Sequence, residues 1–400
     1  MLNTFEGMQW SEAMISRRKF IRIVGASGAA GVLLGAGGYW AATRGAMPAS
    51  AVAPWSGNAA GLADPRLRAA AIAMLAPNPH NIQPWSVRLI GDDRLRLHVD
   101  LKRLLPHTDP PGRQILIGQG TFLELFRMAA AENGYRAELT LFPEGSFRDD
   151  RLDNRAVADI RMIEDASVKK DTLFRYVFSR RSNKEPYDLG RPIAASDLGR
   201  LNDAGFAVAT LNSSNELEMV QTLRDLTEAA LKLEIETPHT LKESIDLMRI
   251  GPAEVAANPD GIDLLGPMMW WGSRVGMVNR EDIATPGTQS FQVGLDMARD
   301  QAQSAMAHAW LTAPDNSRVS QLRTGIDYLR LNLQATALGL ALHPMSQLLQ
   351  EYPEMTGLQN RAFETLGAGT PGRVQMLVRL GHAAAPGPSP RRPVGDIVAG

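Results

Sequence analysis

The sequence predicts an α+β fold made of two related halves, on three observations. A hairpin with one wet face opens the folded region, a helix–glycine–strand unit occurs twice, and small residues line one side of both helices. In the hairpin, residues 86–90 and 94–100 alternate apolar and polar side chains on either side of Gly91, Asp92 and Asp93, the period of a half-buried strand pair. The first unit is a helix over 119–133, with Phe122, Leu123, Phe126, Ala129 and Ala130 at helical spacing, stopped at Gly134 and followed by a strand over 137–142. The second is a helix over 326–338, stopped at Gly339, with a strand over 340–342 extending towards Pro344. Aligning the two glycines sets Phe126 on Leu331, Met128 on Leu333 and Ala130 on Ala335. Small residues let helix backbones approach closely, so the halves, about 58–170 and 171–400, are expected to pack through these helices.

Ahead of the hairpin, residues 65–75 read as an Ala-rich helix and 76–85 as a proline-punctuated loop. A long segment at about 233–320 reads as a helical or lid-like insertion in the second half. Its cluster Pro267-Met268-Met269-Trp270-Trp271 is expected to make core contacts in preference to forming a lid. A closing strand is expected over 373–380.

The first 53 residues read as a signal and spacer. Ser16-Arg17-Arg18-Lys19-Phe20-Ile21-Arg22 is a doubled arginine followed by an apolar position and another base, the pattern read by twin-arginine translocases. Residues 23–42 are uncharged and rich in Gly and Ala, as a weakly hydrophobic export segment is. Their glycines lack the strand, helix and acidic residue that a dinucleotide-binding loop requires. Ala49, Ala51 and Ala53 offer cleavage sites, which puts a mature start near residue 52 or 54, in the periplasm or otherwise outside the cytoplasm. Retention as an uncleaved anchor is the alternative.

Net charge is −1 and no basic block stands outside the leader, so neither nucleic acid nor an anionic membrane surface is an implied partner. The lack of cysteine excludes disulfides, iron–sulfur clusters and thiol catalysis. The seven histidines show no i, i+4 pair and no acidic partner at ligand spacing, so no metal is predicted. Neither G-x-S-x-G nor a phosphate-binding G-x-x-x-x-G-K occurs, which leaves serine-hydrolase and triphosphatase readings without an anchor. What remains is chemistry on a bound organic cofactor.

In the loop Pro77-Asn78-Pro79-His80-Asn81-Ile82-Gln83-Pro84-Trp85, prolines stiffen the backbone while Asn81 and Gln83 offer donors and acceptors. That suits either the edge of a flat polar heterocycle or an ordinary tight loop. The segment resembles the P-S-S-x-N-x-Q-P-W element of the FMN-binding nitroreductase superfamily, with Asn78 and Pro79 in place of the usual serines, and the resemblance implies that His80, Asn81 and Gln83 bind the cofactor. Ser179-Arg180-Arg181-Ser182-Asn183-Lys184 resembles the superfamily's R-x-S-x-R/K segment, which implies that Arg180 and Ser182 grip the FMN phosphate and Lys184 reaches the flavin's polar edge. The stretch from Gly339 to Gln347 is similar to the family's helix–strand–Pro turn, which implies that the backbone of Pro344, Met345, Ser346 and Gln347 approaches the flavin N5. The tail Pro388-Ser389-Pro390-Arg391-Arg392-Pro393 resembles the closing basic segment that returns to the phosphate, with disorder as the alternative. Asp109-Pro110-Pro111-Gly112-Arg113 resembles a pattern of the Acg-like branch. It implies that Arg113 stands beside the flavin N1–C2 carbonyl, where a fixed cation stabilises the reduced anion, or else that Asp109 and Arg113 form a cap or loop ion pair.

The resemblance implies a three-layer α-β-α fold and an FMN-dependent oxidoreductase in which hydride enters and leaves through N5, with a small-molecule electron donor and acceptor as partners and the twin-arginine translocase during export. Members of the superfamily are entwined homodimers whose two subunits each contribute to one FMN. Here the first half carries the loop without the basic segment and the second the reverse, so one FMN is expected in a monomeric, fused pseudo-dimer. The alternative is a protein that sequesters FMN beneath a lid with little turnover.

Overall fold

The computed structural model describes residues 45–59, 61–276, 278–367 and 371–399; the doubled-arginine segment, expected to be an export signal, lies outside them. Helix α1 (Pro65–Ala73) starts at Asp64, whose carboxylate accepts from the Arg66 amide. The alternating stretches that follow pair as β1 (Trp85–Ile90) and β2 (Arg94–Val99), with Val87 opposite Leu97 and Leu89 opposite Leu95. Helix α2 (Arg113–Glu132) ends at Gly134, whose φ of 80° releases the chain into β3 (Tyr135–Leu141). Strand β4 (Ala158–Glu164) then inserts between β2 and β3, giving a four-stranded antiparallel sheet of order β1-β2-β4-β3.

The second sheet begins with β5 (Thr210–Ser214). An insertion follows, built from α3 (Leu217–Glu236), α4 (Pro238–Asp246), the short parallel pair β6 (Met248–Ile250) and β7 (Ile262–Leu264), α5 (Pro267–Arg274) and α6 (Gln289–Gln303). Then come β8 (Ala307–Ala313), α7 (Arg318–Ala337), β9 (Ala341–Pro344) and β10 (Arg373–Gly381), again antiparallel, in the order β5-β8-β10-β9. Each sheet thus runs first, second, fourth, third strand, and each has a helix of 20 residues between its second and third strands.

Those two helices cross at glycine. A Cβ on Gly120 would collide with the Leu322 carbonyl oxygen and lie 2.9 Å from the Gly325 Cα; one on Gly325 would collide with the Ile117 carbonyl oxygen. The alignment that matches Gly134 with Gly339 also matches Gly120 with Gly325 and Ile117 with Leu322. The pair lies between the sheets. Phe122, Phe126, Leu322 and Leu329 pack with Val87, Leu95 and Leu97 of the first sheet, while Ile117, Leu331 and Ala335 pack with Ala309, Leu311 and Val378 of the second. On the far side of the second sheet, Leu223 and Leu226 of α3 and Ala298 and Ala302 of α6 pack on Trp310 and Leu377.

Several expected boundaries move. Helix α2 begins six residues before the expected 119, because the Asp109 carboxylate accepts from the Ile115 amide and caps the first turn. Helix α7 begins at Arg318 rather than 326, because the Ser317 side chain caps it by accepting from the Ser320 amide. Its first turns bury Arg318, Gln321 and Thr324, which hides their helical character from an apolar periodicity. The expected insertion at 233–320 wrongly contained β8, which is interior to the second sheet, and it opens earlier, with α3. The cluster at 267–271 is not core: α5 stands on the insertion's surface, with Trp271 43% exposed and the Arg274 guanidinium over the Trp270 ring.

Candidate functional site

The loop ahead of β1 is held in an unusual shape. His80, Asn81 and Gln83 all take left-handed backbone conformations, at φ 46°, 54° and 51°. Such strain, of order 1–3 kcal/mol per residue, persists where surroundings enforce it. Here the Asn78 side-chain oxygen accepts from the Gln83 amide at 2.8 Å, closing the turn on itself. Gln83, fully buried, donates from Nε2 to the Pro259 carbonyl and accepts at Oε1 from the Arg392 amide. Asn81 donates to the Pro390 carbonyl and accepts from Arg391 Nη1 at 2.5 Å. The polar atoms expected to face a heterocycle therefore bind the tail and the 258–261 segment instead, and the loop's part is to position them. The tail is ordered, with Arg391 and Arg392 both buried.

This arrangement brings Arg391 against Arg180. Arg180 donates from Nη2 to the Leu75 carbonyl, and Arg391 leans on the carbonyls of Leu75 and Ala76. Arg180 Nη1 and Arg391 Nε are buried with no hydrogen-bond partner. Burial pulls the Arg180 guanidinium down to about 10, and burial with Arg180's repulsion pulls Arg391 down to about 9. Neither forms an ion pair within 4 Å among the described residues, and the Asp263 charge acts on Arg391 only from a distance, so two cations sit side by side with two donors unused. Over them lies Trp55, whose ring is 4.6 Å from the Arg181 guanidinium, 5.2 Å from Arg391 and 5.8 Å from Arg180, and whose Nε1 donates to the Ser389 carbonyl.

Along the chain from Arg180, Ser182 faces the buried Tyr328, and Lys184 follows two residues on. The Lys184 charge is felt by two imidazoles, the half-buried His80 and the buried His343. His80 is pulled down to about 4 by burial first and Lys184 second; His343 is held well below the ordinary range by burial, Arg379 and Lys184. Both are neutral at neutral pH. His343 Nδ1 accepts from Arg379 Nε at 3.2 Å.

The remaining expected residues go elsewhere. Arg113 is buried, and each of its nitrogens donates to protein: Nε to Glu351, Nη1 to the Gln375 carbonyl at 2.9 Å, and Nη2 to the Leu349 carbonyl at 2.6 Å. It stitches α2 to the second sheet. Asp109 pairs with the helix terminus, and burial pushes its carboxyl up to about 6 against the pull of Arg113. The Met345 amide is committed to the Leu377 carbonyl, and the Ser346 carbonyl accepts from Gln114, so Met345 offers no amide to a ligand. Pro344 pairs with Val378 in the sheet, and Gln347 keeps a buried Oε1 without a partner. Trp55, Arg181, Tyr328 and His343 were not among the expected site residues. A tryptophan standing among mostly small residues at 49–61 was the one local sign of the first.

No family model matches the chain. In sequence, the Mycobacterium tuberculosis protein Acg, named as an NAD(P)H nitroreductase, is 25% identical over 347 residues, covering 82% of this chain and 92% of its own. An uncharacterized protein of the same species is 22% identical over 348 residues, covering 82% and 90%. Among solved structures, the FMN- and NADPH-dependent nitroreductase NfnB from a Sphigopyxis strain covers 57% of this chain and 98% of its own at 15% identity and a TM-score of 0.35. The FMN-dependent NfnB of Mycobacterium smegmatis covers 52% and 86% at 16% identity and a TM-score of 0.31. In sequence, over about four-fifths of its length, the chain is related to the Acg-like branch of the nitroreductase superfamily.

Proposed function

We propose that the chain is an FMN-dependent oxidoreductase of nitroreductase type, and the observation that carries this is the buried Arg180–Arg391 pair with two unused donors. A phosphate monoester fits it. It is dianionic near neutral pH, its oxygens match guanidinium forks, and it would answer the two unused donors at contact distance, which Asp263 does not. Arg180 and Arg391 would hold the phosphate, Trp55 would exclude water above it, and Lys184 with the neutral His80 and His343 would border the more distal part of the ligand. Bound there, FMN would supply hydride transfer through N5. The fold would hold one such site, with the loop and tail closing from opposite ends of the chain.

The test is the purified protein's absorbance spectrum and its FMN content on denaturation, expected at one per chain. Arg180→Ala with Arg391→Ala should release the flavin, whereas the Lys pair should retain it weakly. A protein that keeps full FMN in the double Ala variant sinks the assignment. One observation favours the sequestering reading: loop, tail and Trp55 seal the arginine pair on several sides. Flavin bleached by dithionite but not by a nicotinamide or quinol donor would select it.

We infer further that the protein is exported by the twin-arginine route and keeps its chain from Gly45 onward. Ala51 is buried and its carbonyl accepts from the Arg391 amide, while the Gly45 carbonyl accepts from Gly266. A start at 52 or 54 would strip part of the wall beside Arg391. Intact mass of the exported protein is expected to show a start at or before residue 45; a start at 52 or 54 overturns this.

A further inference from the structure

A second cavity lies within the insertion, away from the arginine pair. It measures about 120 Å³ and opens between α3, α4 and α6. Leu241, Ile283 and Phe291 make its walls, Ser290 and Gly294 stand on its partly exposed rim, and Glu234 lines it from α3.

Glu234 is the anomaly. Every other buried carboxylate among the described residues is answered: Glu124 by Arg127 and Arg330, Asp260 by Arg103 and Arg249, Asp327 by three backbone amides, and Asp109 by a helix terminus. Glu234, 7% exposed, meets only neutral donors, the Gln350 amide at 2.8 Å and the Ser244 hydroxyl at 3.4 Å. The charged or titratable groups felt with it are Glu243, which adds to the same negative field, and Tyr352. A buried carboxylate beside open space and without a cation is a half-made ion pair.

We infer that this cavity is a binding site for a small primary ammonium compound with an apolar body, its cation seated on the Glu234 carboxylate and its body among Leu241, Ile283 and Phe291. An apolar cavity of about 150 Å³ admits benzene, so a four-carbon chain is the right bulk. The site does not depend on the flavin reading. Gly294 offers an independent handle, because it lines the cavity and a Cβ there meets nothing within 4 Å, which leaves room for a larger side chain at the rim.

The test is calorimetric titration of the full-length protein, as purified, at pH 8, where the Glu234 carboxyl, raised to about 7 by burial, is charged. n-Butylammonium should bind at least tenfold more tightly than n-butanol. Glu234→Gln should bring the ammonium down to the alcohol's affinity, and Gly294→Leu should abolish binding of both while leaving the thermal unfolding temperature unchanged or higher. Equal affinity for the two probes, no binding of either, or ammonium binding undiminished in Glu234→Gln overturns the proposal.

Discussion

The two sheets have the same strand order and the same helix between second and third strands, yet their outer faces are treated oppositely. On the first sheet the face away from α2 is wet and charged, with Arg96 bridging Asp159 at 2.6 Å across β2 and β4 and Arg161 bridging Asp93 at 2.9 Å. On the second, the corresponding row of His308, Arg379 and His343 is buried beneath the insertion. Arg379 survives there because its donors reach the Gln301, Asn183 and Glu185 carbonyls and its plane covers the Tyr187 ring at 4.0 Å. Shared topology therefore does not imply a shared site: the covered half supplies the basic segment and β9, while the open half supplies the loop. The helix starts teach the reverse lesson. Arg113 and Arg318 stand at matching positions, both buried, and Arg318 donates to the Pro111 and Arg148 carbonyls as Arg113 does to Leu349 and Gln375. Each helix is sewn to the opposite half by one arginine, which is why Arg113 reads better as a stitch than as a cofactor contact.

The largest effect should come from the helix crossing. Gly120→Ala or Gly325→Ala forces backbone apart and should cost about 3 kcal/mol or more, a fall of roughly 5–10 °C in melting temperature. The double variant should cost less than the sum of the two, since the first has already parted the helices. Strict additivity would mean that the two glycines do not share one crossing. Next, Arg113→Met and Arg318→Met should each lose on the order of 2–3 kcal/mol by orphaning buried carbonyls. If Arg113→Met instead left chemical stability unchanged and made a bound flavin's reduction potential more negative, the matching of the two arginines would break, and its role would be the one the resemblance implied.

Features governed by local chemistry were legible in the sequence. The hairpin showed in its alternation, both helix ends in Gly134 and Gly339, and the loop, the basic segment and the tail in their residue order. Legibility failed where tertiary placement decides. Strand β8 is buried on both faces and so carries no polar alternation, which let it pass for insertion. The first turns of α7 hold polar residues that only a neighbouring half can satisfy. Asn81 and Gln83 were recognisable as hydrogen-bonding residues, but their partners at 259 and 390–392 are far along the chain. Trp55 belongs to the same class, since three arginines from two distant segments define its role.

Of intermediate size is a pH effect that sets the covered half apart. Glu234 holds its proton more tightly folded, at about 7, than unfolded, near 4.5, so its contribution is present below the unfolded value and is lost as pH rises through 7. His308, lowered to about 3, acts in the opposite sense: it favours folding above the unfolded value near 6.5 and loses that contribution as pH falls. Glu234→Gln should therefore be more stable than the parent at pH 8, by on the order of 2 kcal/mol, and indistinguishable from it at pH 4. Denaturant melts at both values measure this; an equal shift at the two would show that Glu234 does not titrate between them.

The smallest effect should lie on the open sheet. A double-mutant cycle on Arg96 and Asp159, with Ala at each, should give a coupling of about 0.2–1 kcal/mol, because both side chains keep contact with water and the pair is screened by salt. Raising the salt concentration should erase most of it. The wet face would then hold its charges at little gain, as an edge-exposed antiparallel sheet can, while the covered face holds Arg379 through neutral partners, among them carbonyls that the insertion and the 183–185 segment bring to it. A coupling several times larger at Arg96 would mean that the open face too is shielded, by a contact the isolated chain does not make.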